Sequence, residues 1–342
     1  MKKSLIIALG AIALVACTKT SVSYEQTGEI GFAPVVRKNS TKAAVTNTTF
    51  PAEWSIKVFG YYDKSVENGN KYTSGKFTES YLDGVEFTQK TDGGTWTGKD
   101  HSYYWPKTGS LLFAGFAPGN FKPTSDYTGV THNKGNNTFS VPEFEQPDFS
   151  ATKDLLYAGY TTSVLGGTVD LAFSHALSWV TVKAKAAAAK QIKITNIKFV
   201  GLAANGSSTG LPEWTTTGTK EITVFNPEAA SEVPEEVTLV ESHENCGLVF
   251  PQELTNAEIV ISYEMNNGAG QWFAQAPFDA QLNLLTSNEG ANTIKKWEAG
   301  KHYTYIINFS AIGGEPGSSN EITIAPTVND WESVTADGIS AN

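Results

Sequence analysis

The chain has 342 residues, with 25 Lys and Arg against 35 Asp and Glu, for a net charge of −10. An acidic chain without basic clusters is a poor partner for nucleic acid. With 18 Phe, 13 Tyr, 8 Trp and 31 Gly beside two Met, the composition suits many strands joined by turns, at a length of about two domains.

The chain opens MKKSLIIALGAIALVAC, in which Lys2 and Lys3 form a basic start and Leu5 to Val15 an apolar run of eleven residues. A membrane-spanning helix needs about 18 or more. The shorter run fits the apolar region of an export signal. Leu14-Val15-Ala16-Cys17 resembles the bacterial lipobox, whose cysteine is acylated and becomes the new N-terminus. Residues 1–16 are expected to be a lipoprotein signal peptide, Cys17 the lipidated residue, and 17–27 a polar tether. Each buried methylene contributes about 0.8 kcal/mol, so several acyl chains hold a protein stably on an outer membrane.

The segment GEIGFAPVV (28–36) is short and extended, and the basic stretch RKNSTK follows it at once. WSIKVFGYY alternates as a half-buried strand does. GTWTGKDHSYYWPKTGSLLFAGFAPG reads as strand, loop, aromatic strand and turn; Trp96, beside glycines, is the aromatic residue expected to be exposed. Glu143, Glu145, Asp148 and Asp154 in PEFEQPDFSATKD suggest a solvated connecting loop. A glycosidase pair or a calcium ion is the competing use of such carboxylates. Gly166-Gly167 precedes the fresh strand TVDLAF and is taken as the boundary between an N-terminal domain (28–166) and a C-terminal domain (167–342). Strand-like runs then continue to the closing NEITIAPTVNDW. KAKAAAAK (183–190) is too short for a stable helix and is expected to be a loop with one helical turn. Pro326 is expected to break the last segment into two short strands.

Little in the chain suggests catalysis. GSSTG (206–210) fits the Gly-x-Ser-x-Gly pattern, but the strand before it stops early and LPEW follows, so a turn is expected rather than a nucleophile elbow. The five histidines make no zinc-protease motif. Cys246 lacks ligand neighbours beyond His243 and is expected to be a half-buried free thiol. His175, sharing a face with Phe173 and Leu177, is expected to be a satisfied interior or interface residue. No catalytic residue, metal or cofactor is expected.

IGFAPVVRKNSTKAAV, WSIKVFGYY, YWPKTGSLLFAGFAPG, VDLAFSHALSWVTVKA, IKITNIKFVGLAANG, WEAGKHYTYIINF and ITIAPTVNDW, in this order, resemble the fimbrillin family of Bacteroidales, the pilins of type V pili. The resemblance spans nearly the whole chain. It implies an all-β protein of two tandem transthyretin-like β-sandwich domains, made as an outer-membrane lipoprotein. It further implies that a trypsin-like protease cuts after a basic residue, here Arg37, Lys38 or Lys42. The first strand, with Gly31, Phe32, Val35 and Val36, then leaves. A C-terminal strand of another subunit, here offering Ile322, Ile324, Val328 and Trp331, fills the groove and builds a cell-surface adhesive fimbrium. Other fimbrial subunits are therefore the expected partners. The alternative is an uncut, lipid-anchored adhesin, an anchor or tip subunit that binds host glycans or proteins through residues such as Trp96.

Overall fold

The computed structural model describes residues 28–36, 50, 53–65, 76–91, 94–122, 129–149, 153–161, 165–186, 191–233, 237–240, 247–285, 293–309 and 322–330. The protein is all-β. Among the described residues the one helical piece is a 3-10 turn, Leu282–Leu284.

Seven strands of the N-terminal half form a ladder that closes on itself. Around the ring they run Gly31–Val36, Trp96–Gly98, Glu79–Gln89, Ser55–Asp63, Ser110–Ala117, Leu156–Ala158 and Thr168–His175. The ring closes where Gly31–Val36 pairs in parallel with Thr168–His175. This hydrogen-bonded ladder thus runs past Gly166 and Gly167, which both sit at positive φ, and ends at His175. Inside it Phe32, Ile56, Val58, Phe87, Phe113 and Phe173 form one core.

The middle strands are apolar on both faces for a reason. In Ser110–Ala117, Leu111 and Phe113 enter the ring's interior, while Leu112, Ala114 and Phe116 enter a second core outside it. A strand covered on both sides needs no polar alternation.

The second core joins the two halves of the chain. It contains Phe116, Phe139 and Phe144 beside Leu177, Trp179 and Phe250. Over it lies a four-stranded sheet in which Thr138–Glu145 pairs with Asn205–Gly210, which pairs in turn with Glu213–Thr217. GSSTG is therefore part of a strand and not a turn. Its backbone is used by ladder partners on both sides, and the chain reverses after it at Leu211-Pro212.

The remaining strands form a two-layer sandwich around a third core that includes Ile194, Phe199, Ile261, Trp297 and Tyr305. One layer carries Ser178–Ala186, which pairs in parallel with Lys301–Phe309, and Ile322–Asp330 at its edge. The other is centred on Ile192–Leu202 and Glu258–Asn266. Gly201, at φ 75°, marks a register shift in Ile192–Leu202, and a Cβ there would strike the Asn256 carbonyl. Only glycine suits a bulge that close to another backbone.

Two further expectations are corrected here. Lys183–Ala186 of KAKAAAAK completes the strand Ser178–Ala186, because the parallel ladder to Ile306–Phe309 continues through it; residues 187–190 lie outside the described set. Pro326 interrupts nothing. Ile322–Asp330 is one continuous strand with Pro326 opposite Tyr305, and a proline is tolerated on an edge strand, where a nitrogen can face away from the ladder.

Candidate strand-exchange site

The seat of the first strand is asymmetric. Toward Thr168–His175 it has six register pairs, from Gly31 opposite Thr168 to Val36 opposite Phe173. Toward the other neighbour it has one, Phe32 opposite Trp96. Just ahead, Glu29 bridges Tyr104, Ile30 N–H donates to the Tyr103 carbonyl at 2.7 Å, and Trp105 N–H donates to the Gly28 carbonyl at 3.2 Å.

The inward residues are Ile30, Phe32 and Pro34, all buried. Phe32 meets Phe87 and Phe113 edge-on, with ring centroids 4.8 and 5.0 Å apart. Ile30 and Pro34 were not singled out from the sequence, although they share the period of two with Phe32. Val35 is half-buried, and the Val36 side chain lies outside the described set. A Cβ on Gly31 would meet the Thr95 Cγ2 methyl, so a larger residue there would require that exposed side chain to turn aside.

Removing this strand would bare the ring's apolar interior and two rows of backbone groups. Full burial of a side chain such as Ile or Phe contributes about 1.5–3 kcal/mol, so the slot favours refilling. Unpaired strand edges template the addition of another strand.

The chain re-enters the same core at Phe50, whose ring lies 5.2 Å from Phe173 and 5.6 Å from Trp96. Arg37, Lys38 and Lys42 fall between these two anchored points, outside the described residues, as do Cys17, Cys246 and Trp331.

The last strand is fully seated in its own chain. Ile322–Asp330 pairs residue for residue with Lys301–Phe309, from Phe309 opposite Ile322 to Lys301 opposite Asp330. Ile324 and Pro326 are buried and Ile322 half-buried; the Val328 side chain is outside the described set.

Trp96 is not exposed. It is 3 % accessible and packs in the ring's core, because its short strand is held between Gly31–Val36 and Glu79–Gln89. Its flanking glycines suggested exposure, but the strand they bracket is covered by both neighbours. Among the described residues aromatic exposure falls instead on Tyr81, Tyr104 and Phe273, and the Tyr81 hydroxyl donates to the Tyr104 carbonyl.

The carboxylates of PEFEQPDFSATKD do not converge. Glu143 and Glu145 lie exposed on the strand Thr138–Glu145, which replaces the expected loop at that point. Asp154 is buried, with Oδ2 2.8 Å from His175 Nδ1. His175 is thus a satisfied interior residue. Among the described residues no group of three His, Cys, Asp or Glu could hold a metal ion.

A family model described as fimbrillin-like matches residues 41–331. A candidate cell adhesion protein from Bacteroides uniformis shares the fold at 18 % identity and a TM-score of 0.51, over 89 % of this chain and 99 % of that one. A fimbrial protein from Bacteroides vulgatus does so at 14 % identity and a TM-score of 0.51, over 89 % of this chain and all of that one. No curated protein matches.

Proposed function

The chain belongs to the fimbrillin-like family, and from that premise we propose that it is a structural subunit of a cell-surface fimbrium, exported as a lipoprotein and assembled by strand exchange. The carrying observation is the first strand. It closes an otherwise open ring and is followed directly by Arg37 and Lys38.

The mechanism follows from that placement. Signal peptidase processing leaves a lipid on Cys17, which holds the precursor at the outer membrane. A trypsin-like protease cuts after Arg37, Lys38 or Lys42. The segment ending in Gly31–Val36 loses its covalent tie to the rest of the chain and departs with the lipid. Its seat then offers free edges on Trp96–Gly98 and Thr168–His175, with Phe87 and Phe113 lining the floor. Ile322–Asp330 of another subunit supplies Ile322, Ile324 and Val328 at the required spacing, with Trp331 following. Head-to-tail exchange of this kind does not close, so it grows a filament.

Limited trypsin digestion, read by mass spectrometry and electron microscopy, tests this. The expected result is a cut within residues 37–42 followed by filaments. Absence of both would remove the stalk role.

One observation favours a second reading. The donor candidate is already paired along its whole length with Lys301–Phe309, as suits an anchor or tip subunit that keeps its lipid and adheres without donating a strand. The N-terminus of the protein recovered from cells separates the two. A lipidated Cys17 supports the second reading; a start at Lys38, Asn39 or Ala43 supports the first.

A further inference from the structure

A cleft of about 470 Å3 opens where the chain leaves Ser110–Ala117 and passes the end of Thr138–Glu145. That volume lies within the range of about 300–1,000 Å3 usual for small-ligand sites.

One wall is held rigidly by Gln146. Its backbone N–H donates to the Ala204 carbonyl at 2.8 Å, its side-chain amide donates to the Leu248 carbonyl at 3.2 Å, and its Oε1 accepts from Phe250 N–H at 3.0 Å. Facing the cleft, the Gln146 carbonyl accepts from Lys220 Nζ at 2.8 Å, and the same Nζ lies 3.0 Å from Glu145 Oε1. The opposite wall is the turn after Ala117, pinned by Gly119 N–H donating to the Ser55 carbonyl at 2.6 Å. Here Phe121 stands edge-on to Phe144, centroids 5.3 Å apart, and tilted against Phe116 at 6.3 Å, partly buried on the second core while it lines the cleft. Lys153 closes the third side, next in sequence to Asp154, which is locked against His175.

The charge balance is unusual for an acidic chain. Lys220 and Glu145 compensate each other. That leaves Lys122 and Lys153 against Asp148, one positive charge in excess. Both lysines are exposed and make no ion pair among the described residues. Asn120 adds an amide that can donate and accept.

Each ligand class asks for something different. A polyphosphate or nucleic acid would bring several negative charges to a cleft with one positive charge in excess. A purely apolar ligand would offer nothing to Lys122 or Lys153. A saccharide needs donors and acceptors for its hydroxyls and an aromatic face for its C–H surface, and Phe121 and its polar neighbours supply both. The single excess positive charge then calls for one carboxylate.

We propose that this cleft binds an acidic saccharide with one carboxylate per recognised unit, Lys122 and Lys153 holding the carboxylate and Phe121 the sugar face. The cleft uses none of the residues of the first-strand seat, so its failure would leave the assembly reading standing, and the reverse.

Titration calorimetry of the purified protein with 3′-sialyllactose and trigalacturonate, beside neutral lactose and galactotriose, tests it. At least one acidic sugar should bind, more weakly as salt is raised, and the neutral sugars should not. The Lys122→Ala/Lys153→Ala double variant should lose about tenfold or more in affinity, as expected for lost hydrogen bonds to a charged group. Phe121→Ala should weaken binding while leaving the salt dependence in place. Thermal unfolding of these surface variants should match the parent. The proposal is overturned if no acidic sugar binds, if neutral sugars bind equally, or if the double variant binds like the parent. A polyglutamate peptide binding where no acidic sugar does would also overturn it, in favour of an acidic peptide.

Discussion

His302 lies flat against Trp179, ring centroids 3.5 Å apart and planes 6° apart, with Nε2 2.8 Å from Thr181 Oγ1. Burial, helped by the charge of Lys183, lowers its pKa from 6.5 to about 4. The unfolded chain therefore takes up a proton below about 6.5 that the folded chain refuses until about 4. Stability falls as pH drops through that window, each pK unit amounting to about 1.4 kcal/mol. His132 adds in the same direction, its pKa also lowered to about 4 by burial. Urea unfolding between pH 7 and 4 should show a falling midpoint, and His302→Gln should flatten that fall. An unchanged slope in the variant would remove His302 as its source. Histidine scarcity was visible in the sequence. Which histidine was buried against what was not, because Trp179 and His302 meet only through the parallel pairing of distant strands.

At the scale of elements, period-two alternation located most strands correctly, since a half-buried strand must alternate. It was misled where backbone pairing overrode local signals. The glycines within GSSTG signalled a turn and those beside Trp96 an exposed side chain, yet GSSTG is a strand with a ladder partner on each side and the short strand of Trp96 is held between two others. The first strand shows the opposite case: GEIGFAPVV reads as extended from the sequence, and the structure turns Phe32 inward. Phe32→Ala would leave a cavity between Phe87 and Phe113, a change that costs about 3–5 kcal/mol in a closed core. The variant should unfold at lower urea than the parent. Trypsin should also cut it faster in residues 37–42, which digestion time courses would reveal. Equal cutting rates would mean that the strand's seating does not govern access to the basic segment.

For the whole molecule, the second core binds the halves together. Phe116 and Phe144 of the N-terminal half share it with Trp179 and Phe250. A chain ended at Phe309 lacks Ile322–Asp330 and with it the burial of Ile324, a loss of about 1.5–3 kcal/mol for that side chain alone. It should retain its N-terminal ladder, unfold at lower urea and form no filaments after trypsin treatment. Filaments seen by electron microscopy from the shortened chain would show that another segment serves as donor. The closed ring, by contrast, rests on contacts between residues more than a hundred positions apart, such as Phe32 with Val169.

The amino-acid sequence by itself determined that the chain is all-β, that its first and last described segments are strands, and that a basic stretch follows the first. Each is a local property, carried by side-chain period and turn residues. Only the tertiary structure decided that the first strand closes a ring in parallel with Thr168–His175, that Trp96 faces inward, and that Lys122, Lys153 and Phe121 line one cleft with Gln146. Those outcomes depend on which edges pair across long sequence separations. A strand's period specifies which side chains share a face, but not which neighbour covers that face.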